Sequence, residues 1–175
     1  MLNKMMILLV VLTMGLIPVA AASTLNADPK NSSVLFNINH GLGYTIGYFE
    51  NFSASVETDA DKIISAKAVI NIDSLNTHSA WRDEGLRSQL FFDAAKFPQA
   101  TFESSKVEGD QMTGSLTIKG ISKPITLTVG LNEGVFTAQG SFNRNDFGIT
   151  YNRELKHHEK AIGDKVDLMV ELKGV

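Results

Sequence analysis

The chain has 175 residues, enough for one domain, and its 43% hydrophobic and 20% charged residues are typical of a globular protein. The formal net charge of −3 argues against nucleic-acid binding, since phosphate contacts need clustered Lys and Arg. Because the sequence contains no cysteine, disulfides, thiolate nucleophiles and cysteine-ligated metal centres are excluded.

The first 22 residues are predicted to form a secretory signal peptide. Lys4 gives this segment a positive start, and residues 5–22 then carry no charge. Ala20 and Ala22 are the small residues that a cleavage site requires before Ser23. The alternative is an uncleaved membrane anchor, because a run of this length barely spans a bilayer. A glycine and a proline interrupt the run and favour cleavage, which leaves residues 23–175 as one exported domain.

After the signal peptide, apolar and polar residues alternate with a period of two, which is typical of half-buried β-strands. In the third such run, Ile64, Ala66, Ala68, Ile70 and Ile72 fall on one face. Glycine-containing turns separate several of the runs. The pattern predicts an all-β domain, either an antiparallel sandwich or an up-and-down barrel. Its eight predicted strands contain residues 34–40, 48–56, 64–72, 102–104, 112–118, 125–131, 136–142 and 166–172.

One segment, residues 76–99, lacks this alternation and predicts a helical excursion of roughly twenty residues between the third and fourth strands. Ser79 is the predicted N-cap residue, and Trp81 with two leucines falls near one helical face. We expect this segment to cover one end of the barrel as a lid. Trp81, Phe91 and Phe92 are then expected to face the interior or its mouth.

The predicted inward faces combine bulky side chains with small ones. The small residues are Ala66, Ala68, Gly114, Ala138 and Gly140. Small residues leave room for a ligand, but they also fit the taper of a filled core, so the residues alone leave both possibilities open. These faces carry no Lys or Arg. An interior site is therefore expected to take an apolar chain and to leave an ionic headgroup near the mouth.

The sequence shows no nucleophile–base–orienter arrangement, and we predict no catalytic residue and no metal ligand. Residues 157–159, His-His-Glu, are most simply a solvated loop, because adjacent residues of a strand point to opposite faces. His40 continues the inward face of the first strand. Arg82 and Asp83 form an ion pair, a helix cap or a polar group at the cavity mouth. Structural roles are favoured for all three.

Four stretches of the chain carry distinctive sequence, and they are residues 32–56, 70–107, 114–129 and 141–149. Together they resemble the YceI-like family, the lipid- or polyisoprenoid-binding domain of bacterial envelopes. The most specific part is the run R-D-x-x-L-R-S, F-F-D and F-P-x-A-T-F-x-S within the second stretch. Two positions depart from the family pattern: Gly85 stands where many members have His, and Leu90 where many have an acidic residue. The choice of headgroup is therefore left open.

This resemblance implies an extended eight-stranded antiparallel barrel, similar to a lipocalin, with a pore for a long isoprenoid or fatty-acyl chain. With the cleaved signal peptide, we expect a periplasmic location. We also expect transient contact with a membrane or membrane protein, a monomer or homodimer, and no cofactor besides the bound lipid. The residues that we expect to contact the lipid are Phe36, Ile38, His40, Phe49, Ala68, Ile70, Trp81, Arg82, Asp83, Phe91, Phe92, Leu116 and Phe142.

The leading functional hypothesis is a non-enzymatic binding protein that transports, stores or sequesters such a lipid. The first alternative is an enzyme acting on an isoprenoid lipid, with His40 and the Arg82/Asp83 pair as acid–base groups. The second is an envelope stress or structural protein whose cavity is incidental. Turnover of a bound isoprenoid that is lost in His40→Ala while binding is retained would favour the enzyme hypothesis. A barrel with a filled core would favour the structural-protein hypothesis.

Overall fold

The structure is a computed structural model that describes residues 22–41, 43–152 and 161–174. The predicted signal peptide, apart from Ala22, and residues 157–159 lie outside the described residues. The described chain forms strands β1 (Ala22–Asn26), β2 (Ser33–His40), β3 (Gly43–Phe49), β4 (Phe52–Asp59), β5 (Lys62–Asn71), β6 (Leu75–Asn76), β7 (Gln99–Glu108), β8 (Gln111–Ile118), β9 (Ile121–Asn132), β10 (Val135–Asn143) and β11 (Ile162–Lys173). It also forms one α-helix, α1 (Ala80–Arg87), and the 3₁₀ helices Ile72–Ser74 and Arg144–Phe147.

The strands form one antiparallel sheet in the order β1-β4-β5-β7-β8-β9-β10-β11-β2-β3-β6. β3 and β4 lie near opposite ends of this order, although only Glu50 and Asn51 separate them in the chain. Because such a link spans only about 10 Å, the sheet curls until its two ends approach each other. The backbone N–H of Glu50 donates to the Ser74 carbonyl (3.1 Å) at this junction. The prediction of an all-β antiparallel domain is confirmed.

The described residues contain eleven strands where the sequence predicts eight. The predicted strand over residues 48–56 in fact spans the end of β3, the two linking residues and the first part of β4. The alternation continues across Glu50 and Asn51, but the backbone N–H groups of these two residues donate to Ser74, in the 3₁₀ helix after β5, and so interrupt the strand. The other two additional strands, β1 and the two-residue β6, are too short to show a recognisable alternation.

The helical excursion is shorter than the sequence predicts. α1 has eight residues and lies between β6 and β7. Ser79 occupies the N-cap position, but its side chain makes no capping hydrogen bond. After the helix, backbone bonds such as that from Phe92 N–H to the Leu86 carbonyl (3.0 Å) fold residues 88–98 into turns. The segment that lacks the period of two therefore contains one short helix followed by turns, and not one long helix.

The inner face of the sheet carries the buried core, as the alternation predicts, but a bulge changes the face of Ile64. The register between β4 and β5 shifts at Glu57 and Thr58. As a result Ile63 packs against the core, while Ile64 is 51% exposed. The expectation that Ile64 shares the inward face is wrong, because an inserted residue reverses the alternation on one side of it.

Candidate functional site

A cavity of about 1030 Å³ lies within the curled sheet. This volume reaches the upper end of small-molecule sites, which measure roughly 300–1,000 Å³. The wall is mainly aliphatic and aromatic, and its aromatic side chains are Phe36, Phe49, Trp81, Phe91, Phe92, Phe102, Phe136, Phe142 and Tyr151. Of the two arrangements that the sequence leaves open, the structure has the cavity.

Twelve of the thirteen residues predicted to contact a lipid line this cavity. They are Phe36, Ile38, His40, Phe49, Ala68, Ile70, Trp81, Arg82, Phe91, Phe92, Leu116 and Phe142. Asp83 is the exception. The sequence pattern therefore brings residues from β2, β3, β5, α1, the turns after it, β8 and β10 to one apolar space.

Alanines, and not glycines, make the room inside the sheet. Ala66, Ala68 and Ala138 line the cavity as predicted. Gly114 and Gly140 do not line it, and the expectation that they leave room is wrong. A Cβ built on Gly114 would lie 2.5 Å from the Phe102 ring, and one on Gly140 would lie 2.6 Å from a Leu127 methyl group. Neighbouring side chains therefore already fill the space over these glycines.

Aromatic side chains from three elements meet in one row on the cavity wall. The Phe36 and Phe49 ring centroids are 5.8 Å apart, and Phe49 meets the edge of Phe92 at 6.5 Å. Such tilted and edge-to-face contacts stabilise aromatic pairs beyond their burial. The row joins β2 and β3 to the turns that follow α1, so these turns are packed as part of the wall.

Arg82 is the cationic side chain that α1 contributes to the cavity lining. Its Nε donates to Thr77 Oγ1 (2.9 Å), one terminal nitrogen donates to the Thr77 carbonyl (3.1 Å), and the other donates to Thr45 Oγ1 (3.2 Å). His40 lines the same cavity at the end of β2. The fixed guanidinium gives this part of an otherwise apolar wall a positive charge.

Asp83 stabilises the loop before α1 and, unlike the other twelve candidate residues, does not form part of the cavity wall. The residue is buried, and its Oδ1 accepts hydrogen bonds from the backbone N–H of Thr77 (2.9 Å) and from Thr77 Oγ1 (2.5 Å). Thr77 also accepts from Arg82. The two charged residues are therefore connected through a threonine, and the helix geometry turns Asp83 away from the cavity.

Asp83→Ala is expected to lower the free energy of unfolding by about 2 kcal/mol, because two charge-assisted hydrogen bonds to buried Thr77 groups are lost. Urea unfolding measures the change. Glu84→Ala is the matched control, since Glu84 is an exposed carboxylate on the same helix. Equal, small changes in the two variants would contradict this role for Asp83.

Arg144 is a buried cation that the sequence analysis does not single out, although it lies in the family-like stretch 141–149. Only 3% of it is exposed, and its guanidinium donates to the carbonyls of Ile149 (2.6 Å), Tyr151 (2.9 Å) and Gly163 (2.8 Å). Burial lowers the pKa of Arg144, and the Asp164 carboxylate 3.4 Å away opposes that shift. Because backbone carbonyls occupy these donors, we assign Arg144 a structural role.

Two further classes of site are not found in the part of the chain that the structure describes. No group of three or more His, Asp or Glu side chains there has an arrangement suited to a metal ion. No helix in residues 22–41, 43–152 and 161–174 combines the length and the apolar character needed to cross a membrane.

Comparison with known proteins identifies the family. The model of the YceI-like domain matches residues 25–174. Protein YceI of Salmonella arizonae is 34% identical over 177 aligned positions, which cover 90% of this chain and 88% of that protein. The crystal structure of BcnA from Burkholderia cenocepacia superposes with a TM-score of 0.70 and 29% identity, covering 83% of this chain and 98% of BcnA.

A more distant solved structure shares the fold. It is a polyisoprenoid binding domain from Saccharophagus degradans implicated in plant cell wall breakdown, with a TM-score of 0.59 and 17% identity. The alignment covers 86% of this chain and 98% of that domain. Taken with the family match over nearly the whole described chain, these similarities show that the protein belongs to the YceI-like domain family.

Proposed function

We propose that this protein is an exported binding protein that holds a long-chain isoprenoid or another amphiphilic lipid inside a lipocalin-like barrel. The observation that carries the proposal is the apolar cavity of about 1030 Å³. The polyisoprenoid binding domain with the same fold provides a precedent for this class of ligand. Transport, storage and sequestration all require the same property, which is retention of a water-insoluble chain.

The size of the cavity suits a long chain. At about 30 Å³ for each water-sized group, 1030 Å³ accommodates roughly 30 heavy atoms, or about six C5 units. Burying ~400 Å² of such a chain contributes about 10 kcal/mol before the costs of association, at ~25 cal/mol per Å². Apolar burial is therefore the main favourable contribution to retaining the lipid.

A polar headgroup is proposed to lie near Arg82 and His40. A hydrocarbon chain has no hydrogen-bonding group, so the apolar wall selects it by shape and burial. An ionised headgroup would be costly within that wall but is tolerated beside a guanidinium. Arg82 is held by Thr45 and Thr77, so it needs no rearrangement to meet an anion.

Gly85→His is expected to increase affinity for a prenyl phosphate below pH ~6.5, where imidazole is protonated. Gly85 lines the cavity, and a Cβ built on it meets no atom within 4 Å, so the larger residue fits. Binding of prenyl phosphate and of the neutral prenol is measured at two pH values. Gly85→Ala is the matched control, because it improves helix propensity without adding a charge. Equal gains for both ligands would contradict a headgroup near Gly85.

Export to the periplasm is part of the same proposal. Ser23 pairs with Thr58 in the sheet, and their hydroxyl oxygens are 2.7 Å apart, so a chain that begins at Ser23 keeps this contact with β4. N-terminal sequencing of the periplasmic fraction is expected to begin at Ser23 or within two residues of it. A mature protein that still begins with Met1 would indicate an anchor.

The deciding experiment for the ligand is mass spectrometry of organic extracts from protein purified out of its native periplasm. We expect the extract to contain an isoprenoid or fatty-acyl lipid in near-stoichiometric amount. When this lipid is incubated with purified protein and extracted again, we expect its structure to be unchanged. Extracts without lipid, from protein that also binds none when it is offered, would overturn the proposal. If the protein converts the lipid chemically and His40→Ala abolishes that conversion, the protein is an enzyme and not only a binding protein.

A further inference from the structure

The opening of the cavity carries apolar side chains that are exposed. Among the described residues that line the cavity, Trp81 is 85% exposed, Leu90 is 57% exposed and Tyr151 is 41% exposed. We call these three residues the apolar rim. Because they contribute to both the cavity wall and the outer surface, they mark the place where the apolar interior reaches solvent.

The apolar rim is continuous with the packed wall. The Phe91 ring meets the Tyr151 ring edge-to-face at 5.3 Å, which joins the turns after α1 to the segment after the second 3₁₀ helix. Phe91 itself lines the cavity and packs against the core. An apolar molecule leaving the cavity beside Phe91 therefore also meets the Tyr151 ring of the rim.

The described charged groups near the rim are of both signs. Arg82 and Glu84 line the same side of the cavity, and Lys119 Nζ donates to the Gln89 carbonyl (3.4 Å) next to Leu90. The whole chain carries a formal charge of −3. The chain as a whole is therefore not attracted to an anionic surface, and contact through the rim depends on its apolar side chains.

We infer that the apolar rim docks on the surface of a lipid bilayer, with the cavity opening towards the acyl chains. This inference rests on the proposed function, because a lipid from a membrane would otherwise have to cross water to reach the cavity. Trp and Tyr have an apolar body and a polar tip, and both are enriched at membrane interfaces. Their position around the opening allows a chain to move between bilayer and cavity while remaining in apolar surroundings.

Trp81 is the only tryptophan of the sequence, so its fluorescence reports on the rim alone. The mature protein is mixed with protein-free phosphatidylcholine vesicles, with and without bromine on the acyl chains. We expect co-sedimentation with the vesicles, a blue-shifted emission, and quenching by the brominated lipid. Binding is expected to persist in 0.5 M salt, because apolar contacts are not screened. Emission and sedimentation that vesicles leave unchanged would overturn the inference.

A pair of exposed apolar residues tests the position of the docking surface. Leu90→Ser is expected to weaken vesicle binding about tenfold, the effect of losing one large apolar contact. Met169→Ser is the matched control, since Met169 is exposed on β11, does not line the cavity and should not change vesicle binding. Thermal unfolding of both variants verifies that they fold. Equal losses in the two variants would overturn the placement at the rim.

Failure of this inference differs from failure of the proposed function. Binding of cis-parinaric acid, a fluorescent fatty acid, is measured with the wild-type protein in vesicle-free buffer. If the protein binds the probe but not the vesicles, the membrane-docking inference is wrong, while the proposed lipid-binding function is retained. If the protein binds the vesicles but neither the probe nor any tested isoprenoid, the docking inference is retained and the proposed lipid-binding function is wrong. Binding only to native membranes that contain protein would indicate a protein receptor and would overturn the inference.

Discussion

Arg144→Met is expected to lower the free energy of unfolding by about 3 kcal/mol or more, the largest stability effect that we predict. The guanidinium is buried and donates to several backbone carbonyls. Methionine fills a similar volume but donates no hydrogen bond, so these buried carbonyls lose their partner. Each buried acceptor left without a partner costs about 1–3 kcal/mol, partly offset because the charge no longer has to be buried.

The position of Arg144 explains why replacing this single residue is expected to lower the free energy of unfolding so much. Its acceptors lie in two different segments, Ile149 and Tyr151 after the second 3₁₀ helix, and Ile162 and Gly163 at the start of β11. Arg144 therefore joins two parts of the chain beside the cavity opening. The loss of one side chain removes the guanidinium link between the segments and leaves the bonds between the Asn152 amide and Ile162, so we expect the variant also to bind ligand less tightly.

Two further variants make the test specific. Arg144→Lys is expected to retain less than half of the stabilisation, because one ammonium group cannot reproduce the planar fork of donors. Lys165→Ala removes an exposed cation that pairs with Asp167 at 2.8 Å, and it should cost less than about 1 kcal/mol. Urea unfolding of all three proteins gives the comparison. A loss of under 1 kcal/mol in Arg144→Met would show that water readily replaces the guanidinium.

The fold class was predictable because nearly every described strand except the two shortest has an alternating pattern. Alternation directly reports which side chains face the core, and it placed candidate strand residues such as Phe36, Ala68 and Leu116 on the cavity wall. It does not report insertions. Ile64 leaves the inward face because of one bulge, and the break at Glu50 depends on a hydrogen bond to Ser74, which is distant in sequence.

The existence of the cavity could not be predicted from the count of small residues. Gly114 and Ala138 are both small, but Phe102 covers the first while the second remains on the wall. The difference arises because the Phe102 side chain of the neighbouring strand β7 lies over Gly114. The role of Asp83 is similar, because only the loop conformation brings Thr77 to its carboxylate. Such three-dimensional contacts decide which polar residues reach the ligand space.

Ala68→Phe is expected to reduce affinity for long isoprenoid chains about 60-fold while short chains lose much less. Ala68 lines the cavity on β5, opposite Ala54 of β4 and Phe102 of β7 in the sheet. A phenyl ring there projects into the space that a long chain fills. If it excludes about 100 Å² of ligand surface, the loss is roughly 2.5 kcal/mol at 25 cal/mol per Å².

The neighbouring residue on the same strand provides the control. Val69 is exposed on the outer face of the sheet and does not line the cavity, so Val69→Phe should leave the affinity for every chain length unchanged. Isothermal titration with a series of prenols, from two to eight C5 units, measures the dependence on length in the three proteins. If the chain lies inside the cavity, the longest prenol that still binds tightly should be shorter for Ala68→Phe than for the wild type, because the added ring occupies volume at a fixed depth. Equal losses for long and short prenols, or the same loss in Val69→Phe, would mean that the chain lies outside the sheet and that the cavity does not select it.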